Sequence, residues 1–206
     1  NKSLYGLVQA PYLWFNHCSD ALGKVGLEPS KLDPCLFYGR GTIAVLYVDD
    51  VLLWNKDGSV LDKIIQELRD QNLSLTEETD NNAFAFLGVT MKATGNGSFT
   101  MTQEGLIKKI LETTKMTDCE AKTTPASTTP FSSDPNGRSF KEDWDYASVV
   151  GMLLYLSSNS RPDCQFAVHQ CARFTHAPKE SHAKAVKRLC RYLKGTAFKG
   201  LILTPT

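Results

Sequence analysis

No apolar run in this chain of 206 residues approaches the ~20 residues that a membrane-spanning helix requires. No secretory signal pattern opens it. The six cysteines, at 18, 35, 119, 164, 171 and 190, include no CxxC pair. That excludes the usual redox and zinc-finger spacings and argues for reduced thiols in a cytosolic or nuclear setting. His176 and His182 lie between Cys171 and Cys190, but the spacings match no zinc-ligand pattern, and core and surface roles are expected. There is no large net charge either. The formal value is +1, so any electrostatic partner must be read from local pattern. An initiator Met is lacking as well, and the chain is read as a piece of something longer.

What is present is an ordinary globular composition, 42% hydrophobic and 22% charged. The most informative stretch is Ile43-Ala-Val-Leu-Tyr-Val-Asp49-Asp50-Val-Leu-Leu-Trp54. Two β-branched-rich apolar runs, each readable as a buried strand, flank adjacent acids. Carboxylates within one continuous buried strand would be costly. A hairpin with Asp49 and Asp50 at its tip solves the problem. An acidic turn alone explains the pair, because Asp tolerates turn geometry. The sharper reading is a metal site, because hard oxygens suit Mg²⁺ bound beside substrate phosphates.

Around this hairpin the periodicity predicts an α+β chain. Pro11 opens a helix with a stripe at Trp14, Cys18, Leu22 and Val25, stopped at Gly26. Strands are expected over 34–38, 43–48 and 51–54. A helix follows, with a capping-box-like start at Ser59 to Asp62 and a face of Leu61, Ile64, Ile65 and Leu68. Alternation predicts a half-buried strand from Leu73 to Thr79. Strands over 84–91 and 98–101 flank the turn signal Gly95-Asn-Gly97. Thr102 is placed to cap a helix that buries Leu106, Ile107, Ile110 and Leu111.

From Asp118 to about Asp143 turn formers dominate, and the stretch reads as an extended, mobile linker. Beyond it three helices are expected. The first is lined by Tyr146, Val149, Val150, Leu153 and Leu154. The second buries Phe166, Ala167, Cys171 and Phe174. The third runs from Pro178 to a cap at Gly195, and a last strand takes in Leu201 to Leu203. Charge is uneven. The segment 57–80 carries seven acids and two bases, whereas 179–199 carries seven bases and one acid. Lys184, Lys187, Arg188 and Arg191 fall on one side of the third helix. They are either a solvated face or contacts for a phosphate backbone.

Five blocks in order then carry a family resemblance. They are Lys2 to Pro11 with Trp14; Tyr47-Val-Asp-Asp-Val-Leu-Leu53; Phe86-Leu-Gly-Val89 with Thr102-Gln103; Tyr146 to Leu156 with Arg161-Pro-Asp163; and Ala185 to Thr196. Together the chain resembles the reverse transcriptase region of copia-type LTR retrotransposon polyproteins. The resemblance implies a partial polymerase palm over 1–101, an antiparallel sheet with packed helices. It further implies a thumb helix over 102–117, a linker over 118–144 and a helical connection segment over 145–206.

By the same resemblance Asp49 and Asp50 are the catalytic, Mg²⁺-binding acids, Asp49 the more direct. Tyr47 and Val48 support the primer end. Gln9 contacts template or nucleotide, and Phe86, Leu87 and Gly88 form the primer grip. RNA template, DNA primer and the rest of the polyprotein, with its fingers and ribonuclease H region, are the implied partners, in a cytoplasmic virus-like particle or the nucleus. A further catalytic Asp is expected on a segment upstream of Asn1, so this chain alone is expected to be inactive. Val8 and Tyr12 stand where the family usually has Lys and Arg, which removes two cations from the phosphate region. The alternative is a non-catalytic nucleic-acid-binding remnant or a decayed element product.

Overall fold

The computed structural model describes residues 6–71, 73–77, 83–94, 97–128 and 132–204. Lys2 to Tyr5 of the first block, the Gly95-Asn96 turn signal and Glu78 and Thr79 of the expected strand lie outside them. The chain divides into two compact units, Asn1–Glu77 and Glu78–Thr206. Among the described residues both are α+β, each with a four-stranded antiparallel sheet.

The first unit runs α1 (Ala10–Lys24), β1 (Glu28–Pro29), β2 (Leu36–Gly39), β3 (Thr42–Tyr47), β4 (Asp50–Trp54) and α2 (Gly58–Asp70), with its strands in sequence order. Pro11 sits in the first turn of α1, where its missing N–H costs nothing. At the other end Gly26, at φ +83°, donates to Gly23 O, and Leu27 N–H reaches back to Leu22 O at 3.0 Å. This paired closure needs a left-handed residue, which glycine supplies without strain. Cys18, Leu22, Leu27, Phe37, Ala44, Leu46, Ile64 and Leu68 form the core.

That core covers one face of the sheet. β3 alternates, with Ala44 and Leu46 buried while Ile43 and Tyr47 are exposed. The strand read as buried throughout is therefore half-buried, and Tyr38, Ile43 and Trp54 lie open on its other face. Two local readings are also corrected. α2 is capped by Asp57, whose carboxylate accepts from Ser59 N–H at 2.9 Å, not by a box from Ser59 to Asp62. Residues 73–77 form no strand. Leu73 and Leu75 do touch the core; alternation records one-sided burial, and a strand also needs a hydrogen-bonding neighbour.

The second unit runs β5 (Ala83–Phe86), β6 (Val89–Ala93), β7 (Phe99–Thr102), α3 (Glu104–Thr113), α4 (Tyr146–Asn159), a 3₁₀ turn (Pro162–Cys164), α5 (Gln165–Ala172), α6 (Glu180–Gly195) and β8 (Leu201–Leu203). β8 closes the sheet by pairing with β7. The helices pack around Ile107, Ile110, Val149, Val150, Leu153, Leu156, Val186, Leu189 and Leu193. Most of the expected faces are those buried. Phe166 is the exception, at 73% exposure.

Side chains near α3 and α6 serve differently from their sequence reading. Gln103 rather than Thr102 precedes α3 and makes no side-chain cap. It is buried and accepts from Ser160 Oγ at 2.8 Å, tying the start of α3 to the end of α4. Gly195 is the last residue of α6 rather than its cap. Its reason is space, since a Cβ there would stand 2.9 Å from the Ala121 methyl.

The turn-former-rich stretch from Asp118 is tied to α6 at its start. Lys122 N–H donates to Arg191 O, Arg191 holds Glu120, and Arg188 reaches Thr124 Oγ1. Further on, Phe140 meets Trp144 edge-on at 4.9 Å, with Trp144 buried. Two of the His and Cys residues between 171 and 190 are similarly occupied. His182 Nδ1 accepts from Lys179 N–H and its Nε2 faces Ser132 O, while Cys190 Sγ lies 3.5 Å from Thr114 Oγ1. Burial pushes the Cys171 thiol up to about 12 and the Cys190 thiol up to about 11, which leaves both protonated and unreactive at neutral pH.

Candidate active site: the acidic hairpin

β3 and β4 are joined by the two-residue turn Val48-Asp49, with Tyr47 paired to Asp50. Asp49 thus occupies the tip and Asp50 begins the return strand, both exposed. Register puts Asp50 on the open face with Tyr47. Asp49 is felt on the other side. Burial pushes the Cys18 thiol of α1 up to about 11, and the Asp49 carboxylate adds to the rise.

The turn is strained. Val48 has φ +52°, a region where a β-branched residue clashes with its own backbone. The strain is held by a neighbour, because Trp14 Nε1 on α1 donates to Val48 O at 2.8 Å. α1 is in turn anchored through Cys18 and Leu22. The apolar stripe of the first helix therefore fixes the acidic turn. Because Val48 is 64% exposed, Val48→Gly loses little packing. It is expected to raise the stability of the first unit by about 1 kcal/mol, read as a higher midpoint in urea. An unchanged or lower midpoint would show that the turn is relaxed.

Gln9 is the residue preceding α1 and is exposed. Five positions separate it from Trp14, about 7.5 Å along a helix axis. Val8 and Tyr12, at 97% and 68% exposure, present no charge where the family pattern has cations. The hairpin thus gathers Tyr47, Val48, Asp49 and Asp50 beside Trp14 and Cys18. Trp14 was read as core from its spacing, and only the fold reveals it as the support of the turn.

The other expected site residues belong to the second unit. Leu87 and Gly88 form a two-residue turn between β5 and β6, at φ +52° and +73°. Both central residues being positive is what a type I′ hairpin requires. Tyr155 of α4 donates its hydroxyl to Leu87 O, which pins this turn to the helical part of the unit. Of the four basic residues read as one face of α6, Lys187 pairs with Glu142 and Arg191 with Glu120, both at 2.7 Å. Lys184 and Arg188 have no carboxylate partner among the described residues.

Asp49 and Asp50 fit a divalent cation in donor type and accessibility. In number they fall short of a two-metal cage. Among the described residues no group of three or more His, Cys, Asp or Glu side chains is placed to hold a metal ion. No helix among them is long and apolar enough to cross a membrane.

Among the described residues the chain is thus an α+β protein with two antiparallel four-stranded sheets, one of which carries Tyr-x-Asp-Asp at a hairpin turn. Residues 1–128 match the family model described as reverse transcriptase (RNA-dependent DNA polymerase). The chain belongs to the reverse transcriptase family, in its copia-type branch. It is 34% identical to the retrovirus-related Pol polyprotein from transposon RE1 of Arabidopsis thaliana, over 98% of this chain and 14% of the relative. The corresponding polyprotein from transposon TNT 1-94 of Nicotiana tabacum is 30% identical over 95% of this chain and 15% of its own length. The chain therefore spans about one seventh of these curated relatives. No solved structure matches it.

Proposed function

We propose that this chain is the part of a retrotransposon polyprotein that carries the acidic hairpin of an RNA-directed DNA polymerase. The observation that carries the reading is the exposed Asp49–Asp50 pair on a braced hairpin, inside a match to the reverse transcriptase family. In this reading residues 1–101 are palm, 102–117 the thumb helix and 145–206 the connection segment. The reaction is attack of a primer 3′-hydroxyl, as it loses its proton, on the α-phosphate of a nucleoside triphosphate, forming the 3′-O–P bond and breaking the α–β bond to release pyrophosphate. Asp49 and Asp50 would hold Mg²⁺, which when bound supplies neutralisation of charge on the attacking and leaving oxygens.

The chain's own residues position the substrates. Tyr47 and Val48 support the primer end, and Gln9 contacts template or nucleotide. Phe86, Leu87 and Gly88 hold the primer strand, aided by the Tyr155 brace. Two adjacent acids supply one side of a two-ion site, so a further carboxylate from elsewhere in the polyprotein would complete it. RNA template, DNA primer and the remaining polyprotein are the partners, in a cytoplasmic virus-like particle or the nucleus.

Primer extension tests this. The 206-residue chain alone, with Mg²⁺ and an RNA template, is expected to add no nucleotide. The same segment within its polyprotein is expected to extend the primer. Processive synthesis by the chain alone would overturn the need for an outside carboxylate.

A second reading, non-catalytic nucleic-acid binding through the basic face of α6, is favoured by Lys184 and Arg188 having no carboxylate partner among the described residues. It requires binding that weakens steeply with salt and does not depend on sequence.

A further inference from the structure

The basic face of α6 is not an open stripe. Residues 120–128 and 132–134 cross it, anchored at one end by Glu120, Lys122 and Thr124 and at the other by Ser132 and Asp134. Between this segment and the helix lies a cavity of about 600 Å³. Among the described residues its charged lining is Lys122, Lys184, Lys187, Arg188 and Arg191, against Asp134.

Two of the five cations are already neutralised, Lys187 by Glu142 and Arg191 by Glu120. Asp134 is engaged by Ser181, whose hydroxyl donates to it at 2.6 Å. Lys122, Lys184 and Arg188 remain, in no ion pair among the described residues. Arg188 donates through Nη2 to Thr124 Oγ1 at 2.8 Å, while its Nε is buried with no hydrogen-bond partner among them. A guanidinium N–H shielded from water without an acceptor is costly. Three like charges around one cavity also repel. An anion seated among them would relieve that repulsion.

We propose that this cavity binds a compact phosphate-bearing anion, with Lys184 and Arg188 as its principal contacts and Lys122 at the rim. A polyphosphate matches three unneutralised cations in charge. Its oxygens suit the planar donors of arginine, and the volume falls within the ~300–1,000 Å³ of small-ligand sites. A duplex backbone tracking the helix would meet the crossing segment instead. The phosphate can come from a free polyphosphate or nucleotide, or from the phosphorylated end of a strand. The site lies wholly within the second unit and requires no polymerase activity.

Calorimetric titration of the 206-residue chain with inorganic tripolyphosphate tests it. The intact chain is expected to bind. Lys184→Gln with Arg188→Gln is expected to weaken binding at least ~10-fold, the loss of one charge-assisted contact or more. A control pair with the same loss of charge, Lys63→Gln with Lys109→Gln, is expected to stay within about twofold. If circular dichroism shows that the double variant is unfolded, Lys184→Glu alone replaces it, since Lys184 is exposed; a weakening of similar size is expected.

Competition then separates the sources. Displacement of tripolyphosphate by a short oligonucleotide only when it carries a 5′-phosphate assigns a strand end. Displacement by neither form assigns a free polyphosphate. Equal displacement by both forms would make this a backbone-binding surface and overturn the compact site. So would an absence of binding by the intact chain, or equal weakening in the control pair.

Discussion

Arg161→Ala is expected to destabilise the second unit by about 3 kcal/mol, measured as unfolding free energy in urea. Arg161 is 1% exposed and makes four hydrogen bonds through all three of its nitrogens. Nε and Nη2 donate to the two Asp163 oxygens at 2.9 and 2.8 Å, and Nη1 and Nη2 to Thr196 O and Oγ1 at 2.9 and 2.8 Å. Tyr192 adds its hydroxyl to Asp163 at 2.7 Å and its ring lies under the guanidinium. The arginine thus closes the C-terminal end of α6, where a cation is favoured, and fastens it to the 3₁₀ turn. Removing it takes one of two donors from the Thr196 carbonyl, which keeps the Lys199 N–H at 3.0 Å, and leaves Asp163 without its cation. Asp163 is 40% exposed, so the low end of the range for broken buried pairs applies. Arg161→Lys is expected to recover only part, because an ammonium cannot reproduce the fork.

The same cluster sets an acid limb. Burial alone would raise the Asp163 carboxyl, but hydrogen bonds from Arg161 and Tyr192 outweigh it and hold the group below its usual range. A depressed carboxyl stabilises the fold above its unfolded value of about 3.9. That contribution disappears as pH falls through the lower folded value. Asp163→Asn should therefore flatten the loss of stability as pH falls below about 4. A cost below about 1 kcal/mol for Arg161→Ala, or an acid limb unchanged in Asp163→Asn, would show that the cluster is not a structural lock.

This cluster also marks the limit of what periodicity can deliver. Arg161-Pro-Asp163 is visible in the sequence as a motif, and Thr196 as the end of another. Nothing in their spacing says that one arginine joins them. Helix faces were legible because 3.6-residue periodicity is local, and Ile107, Val149 and Leu189 are buried as that pattern requires. The hairpin was legible because two acids between apolar runs have few cheap placements.

Long-range partners were not legible. β8 joins β7 across about a hundred residues, and composition could not distinguish a spacer at 118–144 from a segment fastened to α6. Caps failed for a related reason. Asp57 and Ser59 both suit a helix start, and the backbone path alone decides between them. The acidic tip was readable as a candidate, but its brace was not. Trp14 sits on a helical stripe and reads as core, while its indole N–H serves a carbonyl 34 positions away.

The tip itself carries the largest functional prediction. In a polyprotein containing this segment, Asp49→Asn is expected to lower primer extension by about 10³-fold or more, since metal-based charge stabilisation contributes several kcal/mol and each 1.36 kcal/mol is tenfold. Asp50→Asn is expected to cost less. Asp49 stands at the turn, whereas Asp50 is committed to strand pairing with Tyr47. Both carboxylates are exposed, so replacing either with its isostere should change stability by no more than about 0.5 kcal/mol. A loss of activity then reports chemistry rather than unfolding. Single-turnover incorporation of one nucleotide, followed across Mg²⁺ concentrations, separates the two residues. A larger defect in Asp50→Asn would reverse their roles. A defect below tenfold in both would leave the hairpin an ordinary acidic turn and remove the polymerase reading with it.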